Sequence, residues 1–120
     1  GPTVYHFPAL TDTCKASVII VQNFAGDEAR FFPVIRVLRE RFKSRAPELD
    51  CEFIVVSQQQ IVKSPQAVVK YARNTISEGN KIFILGNSFG SFGALKLAEV
   101  IRPAGVILVN AFVVPRFMYR

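Results

Sequence analysis

The chain contains a single histidine, no tryptophan, two cysteines and one methionine among its 120 residues. No apolar run approaches the roughly 18 to 20 residues needed to cross a bilayer. No basic-then-apolar leader opens the sequence, so neither a transmembrane segment nor a secretory signal is read from it. Cys14 and Cys51 are too few and too far apart for a disulfide framework or a zinc site, and a reduced, cytoplasmic setting fits them best. The P-loop lysine and the G-x-G-x-x-G pattern are both missing, so no cofactor or metal is expected. Internal repeats and low-complexity tracts are absent as well. One further absence bears on chemistry: beyond Ser88 there is no histidine and no aspartate, and Glu99 is the only carboxylate.

What is present suits one domain with a real core, since half of the residues are apolar. Gly1-Pro2 reads as the scar of a removed tag, leaving residues 3–120 as the domain. Much of the net charge of +6 sits in "RFFPVIRVLRERFKSR", with Arg30, Arg36, Arg39, Arg41, Lys43 and Arg45. Such a run is either a solvated helix face or a patch for nucleic acid or an anionic carrier. No recognition-helix signature and no exposed aromatic ladder accompany it, which argues against nucleic acid.

Four short β-branched runs stand out: "SVIIVQ" (17–22), "EFIVVS" (52–57), "KIFIL" (81–85) and "GVILVN" (105–110). They are continuously apolar rather than alternating, as strands are when both sheet faces are covered. Between them lie helical patterns. Phe31, Val34, Ile35, Leu38 and Phe42 form an inward stripe, with Arg36, Arg39, Glu40 and Lys43 opposite. A second helix opens at Ser64-Pro65, with Val68, Ala72 and Ile76 inward and Gly79 as its stop. A third runs from about Phe89 to Ile101, with Ala94, Leu97, Ala98 and Ile101 inward. This alternation predicts an α/β fold: three α/β/α layers around a mostly parallel sheet of four or five strands. Counted from residue 17, the strands take the local order 2-1-3-4, and "VYHF" near the N-terminus leaves room for a fifth strand at the edge.

Gly86-Asn87-Ser88-Phe89-Gly90 matches G-x-S-x-G between a strand and a helix. A serine on such a bend projects its hydroxyl above the sheet. Side chains two residues to either side would collide with the neighbouring strand or helix, so glycine is required at both places. The following helix N-terminus favours a developing negative charge at this point. Gly-rich strand-to-helix turns also bind phosphate or simply pack tightly.

In these residues the chain resembles the α/β-hydrolase family, most of all its thioesterases and small esterases. "ILGNSFGSFGALKLAEV" looks like the nucleophile elbow and its helix. "VIIVQNFAGDEARFFPVIRVLRERF" resembles the strand, oxyanion loop and first helix, and "AGVILVNAF" the strand after the elbow helix. The resemblance covers residues 16 to 112 and only the N-terminal half of a whole family member, so the core lacks the C-terminal strands. It implies Ser88 as nucleophile, the N–H of Phe89 as one oxyanion donor, and the N–H of Phe24 or Asn23 as the second. Gln22-Asn23 stands where the family usually has His-Gly, and Asn87 replaces a common histidine. The family's order is serine, acid, histidine, and this chain supplies neither acid nor base after Ser88. His6 would serve only if the N-terminal segment folded over the strand tips. Asn110 stands where some hydrolases keep their acid.

Topology alone points to the same place. The order 2-1-3-4 also occurs in flavodoxin-like domains, and in both folds a site lies outside the carboxyl ends of the first and third strands. The loops there are "QNFAGDEA" and "GNSFGS". The resemblance implies acyl-ester or thioester hydrolysis, or acyl transfer, on a small-molecule or carrier-bound substrate, with base and acid supplied from outside this chain. A non-catalytic hydrolase-like binding or scaffold module is the alternative. A flavodoxin-like domain holding phosphate through Ser88, Ser91 and the backbone of 87–91 is a third reading, and there Asp27 reads as a helix cap before it reads as a ligand. The apolar tail "AFVVPRFMYR" implies truncation. Val113, Val114, Phe117 and Met118 are then expected to pack on a second copy or a completing polypeptide.

Overall fold

The computed structural model describes residues 4–23 and 27–110. The chain runs β1 (Val4–Phe7), β2 (Ala16–Gln22), a 3₁₀ turn (Asp27–Phe31), α1 (Phe32–Arg45), a second 3₁₀ turn (Pro47–Leu49), β3 (Glu52–Ser57), α2 (Gln58–Lys63), α3 (Pro65–Thr75), β4 (Lys81–Asn87), α4 (Gly90–Ile101) and β5 (Gly105–Val109). The strands form one sheet in the order β1-β3-β2-β4-β5. β2 to β5 are parallel. β1 lies antiparallel outside β3, with Val4 opposite Val56 and Phe7 opposite Phe53. The fold class is the expected one, a mostly parallel α/β sheet, and the antiparallel edge strand is the detail that the four-strand order lacked.

Period-two alternation divides the core between the sheet faces. Ile19, Val21, Ile54, Val56 and Ile84 face α2, α3 and α4, and meet Ile61, Val68, Ala72, Ala94 and Leu97. Ile20, Phe53 and Val55 face α1 through Ile35. Each such aliphatic side chain, taken fully out of water, contributes about 1.5–3 kcal/mol before entropy is counted. α1 connects β2 to β3 on one face, and the later helices return across the other. That arrangement makes β2 and β4 the neighbours at which the winding reverses.

Several local expectations are corrected. α2 is an additional helix: the Ser57 hydroxyl accepts the Gln60 N–H at its start, and Ser57-x-x-Gln60 is a capping-box spacing. In α1 only Ile35 is fully buried, and Val34 is 45% exposed rather than inward. The buried stripe is turned towards Arg39, which was expected in solvent. Arg39 donates to the Pro8 carbonyl, and its guanidinium carbon lies 5.8 Å from the ring centres of both Phe7 and Phe53. The long aliphatic stem covers the edge of the core while the cation stacks on aromatic faces. β5 departs in the other direction. Val106 to Val109 are 36–49% exposed, because α4 lies over the β4 side and no described residue lies beyond β5.

The amino ends of β2 and β3 hold a polar network. Ser17 Oγ donates to Glu52 Oε1 at 2.5 Å, and the Ser77 N–H donates to the same oxygen at 3.2 Å. Asn80 Nδ2 donates to Ser17 Oγ at 3.1 Å, and His6 Nε2 lies 3.1 Å from Glu52 Oε2. Burial pushes the Glu52 carboxyl up, but the hydrogen bonds from Ser17, His6 and Ser77 outweigh it and hold the group below its ordinary value. Asp50 is similar: burial raises it, while the Thr11 hydroxyl and N–H, the Leu10 N–H and the charge of Arg39 bring it down. Both cysteines are free, and burial, helped by Cys14 and Asp50, pushes the Cys51 thiol up.

Candidate functional site

β4 ends in Gly86-Asn87, and the chain turns at Ser88 into α4. Ser88 has φ 57°, one of three non-glycine residues with positive φ, the others being Arg102 and Asn110 among the described residues. For an L-residue this conformation costs roughly 1–2 kcal/mol, and here tertiary packing imposes it. A Cβ on Gly86 would lie 2.7 Å from the Ser91 Cα and 2.8 Å from the Ala94 Cβ. A Cβ on Gly90 would lie 2.2 Å from the carbonyl oxygen of Val21. The two glycines let β4, α4 and the end of β2 close on one another, and the bend falls on the serine between them.

Backbone bonds fix the turn. The Ser88 N–H donates to the Val109 carbonyl at 2.8 Å, tying the bend to β5. The Ser88 carbonyl accepts the Ser91 N–H at 3.1 Å and the Ser91 hydroxyl at 2.6 Å. The Ser88 hydroxyl itself has no hydrogen-bond partner among the described residues and is half-buried. Phe89 follows in right-handed helical geometry and begins the first turn of α4. Its ring stacks on Phe92 at 6.4 Å, and both rings are exposed.

Beside this turn, at the carboxyl end of β2, Gln22 is buried and accepts a 2.8 Å hydrogen bond from Asn87 Nδ2. Gln58, at the start of α2, accepts the Gly93 N–H at 2.8 Å. Asn23 Oδ1 is buried with no hydrogen-bond partner. Sequence reasoning treated Gln22 and Asn87 only as departures from a pattern and did not pair them. A lone amide ending each of two otherwise apolar strands that are neighbours in the sheet was the available signal.

Other expected residues fall elsewhere. His6 is on β1, held to Glu52 at the amino end of β3, whereas Ser88 follows the carboxyl end of β4. With strands of six or seven residues, the two are separated by roughly 20 Å of sheet at about 3.3 Å per residue. His6 therefore does not fold over the strand tips. Glu99 is exposed near the far end of α4, roughly 14 Å along the helix from its start at 1.5 Å per residue. Asn110 follows directly after β5, with φ 51°. Phe24, Val113, Val114, Phe117 and Met118 lie outside the described residues.

Among the described residues no group of His, Cys, Asp and Glu side chains is placed to hold a metal ion, and no helix is long and apolar enough to cross a membrane. The helix N-terminus behind Ser88 provides a positive end of a backbone dipole at the strand tips. Chemically, the arrangement offers a hydroxyl on a strained bend, amides at its base and neutral side-chain amides beside it. Comparison of the chain with protein-family models, with curated proteins and with solved structures finds no match.

Proposed function

We propose that this domain performs serine-hydrolase-type acyl chemistry through Ser88, on an ester or thioester of a small molecule or a carrier. The observation carrying this reading is the positive φ of Ser88 between two glycines that tolerate no Cβ, at the junction of β4 and α4. A serine is a costly residue for a bend that glycine would adopt without strain, so its hydroxyl is what the position keeps. In this reading the Ser88 oxygen attacks the carbonyl carbon. The developing oxyanion is met by the N–H of Phe89 and by the loop after β2, through Phe24 or Asn23. The hydroxyl proton passes to a base from outside this chain, since the only histidine lies at the other end of the sheet. A completing polypeptide or a second copy would be received beside the exposed strand β5.

The second reading, a hydrolase-like binding module without catalysis, is favoured by the amide pair Gln22–Asn87, which places neutral groups beside the serine. A fluorophosphonate probe separates the two. Slow labelling of the folded chain, abolished by Ser88→Ala, is the expected outcome. A folded chain that takes no label at Ser88 leaves only the binding reading.

A further inference from the structure

At the opposite end of the sheet from Ser88, a cavity of about 330 Å³ opens between the loop after β1 and the last turns of α1. Its walls are apolar: Leu10 on the loop, Phe42 on α1, and Pro47 on the turn that follows. Its polar groups are Thr11, Asp50, Arg39 and Lys43. A volume at the low end of small-molecule sites, with apolar walls and a few charges, is the ordinary composition of a ligand pocket.

The charges in it are unevenly used. Both Asp50 oxygens are occupied: Oδ1 accepts the Leu10 N–H at 3.3 Å, and Oδ2 accepts the Thr11 N–H and hydroxyl, each at 2.8 Å. Arg39 makes a single hydrogen bond, to the Pro8 carbonyl, and its Nε is buried without a partner. Lys43 is exposed, one helical turn further along the same face, and makes neither an ion pair nor a hydrogen bond. The close contact of His6 with Glu52 lies outside this cavity. Two cations with spare donors therefore line an apolar hollow whose only acid is already engaged by backbone and hydroxyl donors.

We propose that this cavity binds a small organic carboxylate with an apolar body, its carboxylate between Arg39 and Lys43 and its body against Leu10, Phe42 and Pro47. Guanidinium and ammonium donors suit a carboxylate, and the apolar walls exclude a bare inorganic anion as the best fit. An uncharged molecule of the same shape would forgo the charge-assisted bonds, and a cationic one would meet two like charges.

The test is a ¹H–¹⁵N titration of the whole chain with octanoate, octanol and octylammonium. Saturable octanoate shifts are expected at Leu10, Thr11, Lys43 and Asp50, with a dissociation constant of about 1 mM or tighter and octanol at least about tenfold weaker. Lys43→Glu, at an exposed position that leaves packing intact, is expected to weaken octanoate by about tenfold or more. The proposal is overturned by octanoate shifts confined to residues 86–92, by octanol binding as well as octanoate, by an unchanged affinity in Lys43→Glu, or by no saturation at all.

Discussion

At the amino ends of the parallel strands, Glu52 accepts from Ser17 and Ser77 and contacts His6, while Asp50 takes three donors from Leu10 and Thr11. At the carboxyl ends, two glycines are pressed against backbone, a serine is held at positive φ, and its hydroxyl has no partner among the described residues. One end satisfies its buried carboxylates within the chain, and the other maintains strain around an unengaged hydroxyl. Polar groups matched internally contribute to folding. Strain kept beside an open hydroxyl contributes nothing to folding, and it is the ground on which acyl chemistry at Ser88 is proposed.

Breaking this contrast should be most costly where backbone meets backbone. Gly90→Ala would put a methyl 2.2 Å from the Val21 carbonyl oxygen. The expected outcome in denaturant unfolding is failure to fold or a loss of more than about 4 kcal/mol. A small loss would mean that α4 can slide away from β2.

Next in size is Glu52→Ala, which strands the Ser17 hydroxyl, the Ser77 N–H and the Asn80 amide. About 3 kcal/mol should be lost at neutral pH. The same residue sharpens the comparison through pH. The Glu52 and Asp50 carboxyls are held below their ordinary values of 4.5 and 3.8. Their stabilisation is complete above those values and disappears as pH falls through the lower folded ones. Acid unfolding curves should therefore be steep in wild type and shallower in Glu52→Ala. Equal slopes would remove Glu52 from the account.

The smallest change has the opposite sign. Ser88→Gly relieves the positive φ and adds freedom to the unfolded chain, so thermal denaturation should show a gain of about 0.5 kcal/mol. A clear loss would mean that the serine hydroxyl is a structural tie.

The strands were legible because β-branched runs buried on two faces have few other uses, and the bend because its glycines answer to steric demands that sequence spacing states directly. β5 was misread for the same reason. An apolar run looks alike whether or not a neighbour covers it, and Val106 to Val109 are exposed. On α1 and the turn before it, the stripe of Phe31, Ile35, Leu38 and Phe42 was legible, but Val34 is exposed, and Arg39 was placed in water although it can bury its stem, so charge alone did not assign it. α2 was passed over because three glutamines carry no periodic apolar signal, although Ser57 and Gln60 marked its start. Of the candidate site, Ser88 and its glycines could be located from one stretch of sequence. The Gln22–Asn87 bond joins residues 65 positions apart and required the sheet order to be known.

The close approach of Gly90 to Val21, together with the Gln22–Asn87 bond, has a mechanical consequence. The carboxyl end of β2 and the bend leaving β4 are bolted at two points, so neither can be displaced without dragging the other. The reach of the serine oxygen is thus calibrated by a strand more than sixty residues upstream, and substitutions in β2 should retune it as surely as substitutions in the bend itself.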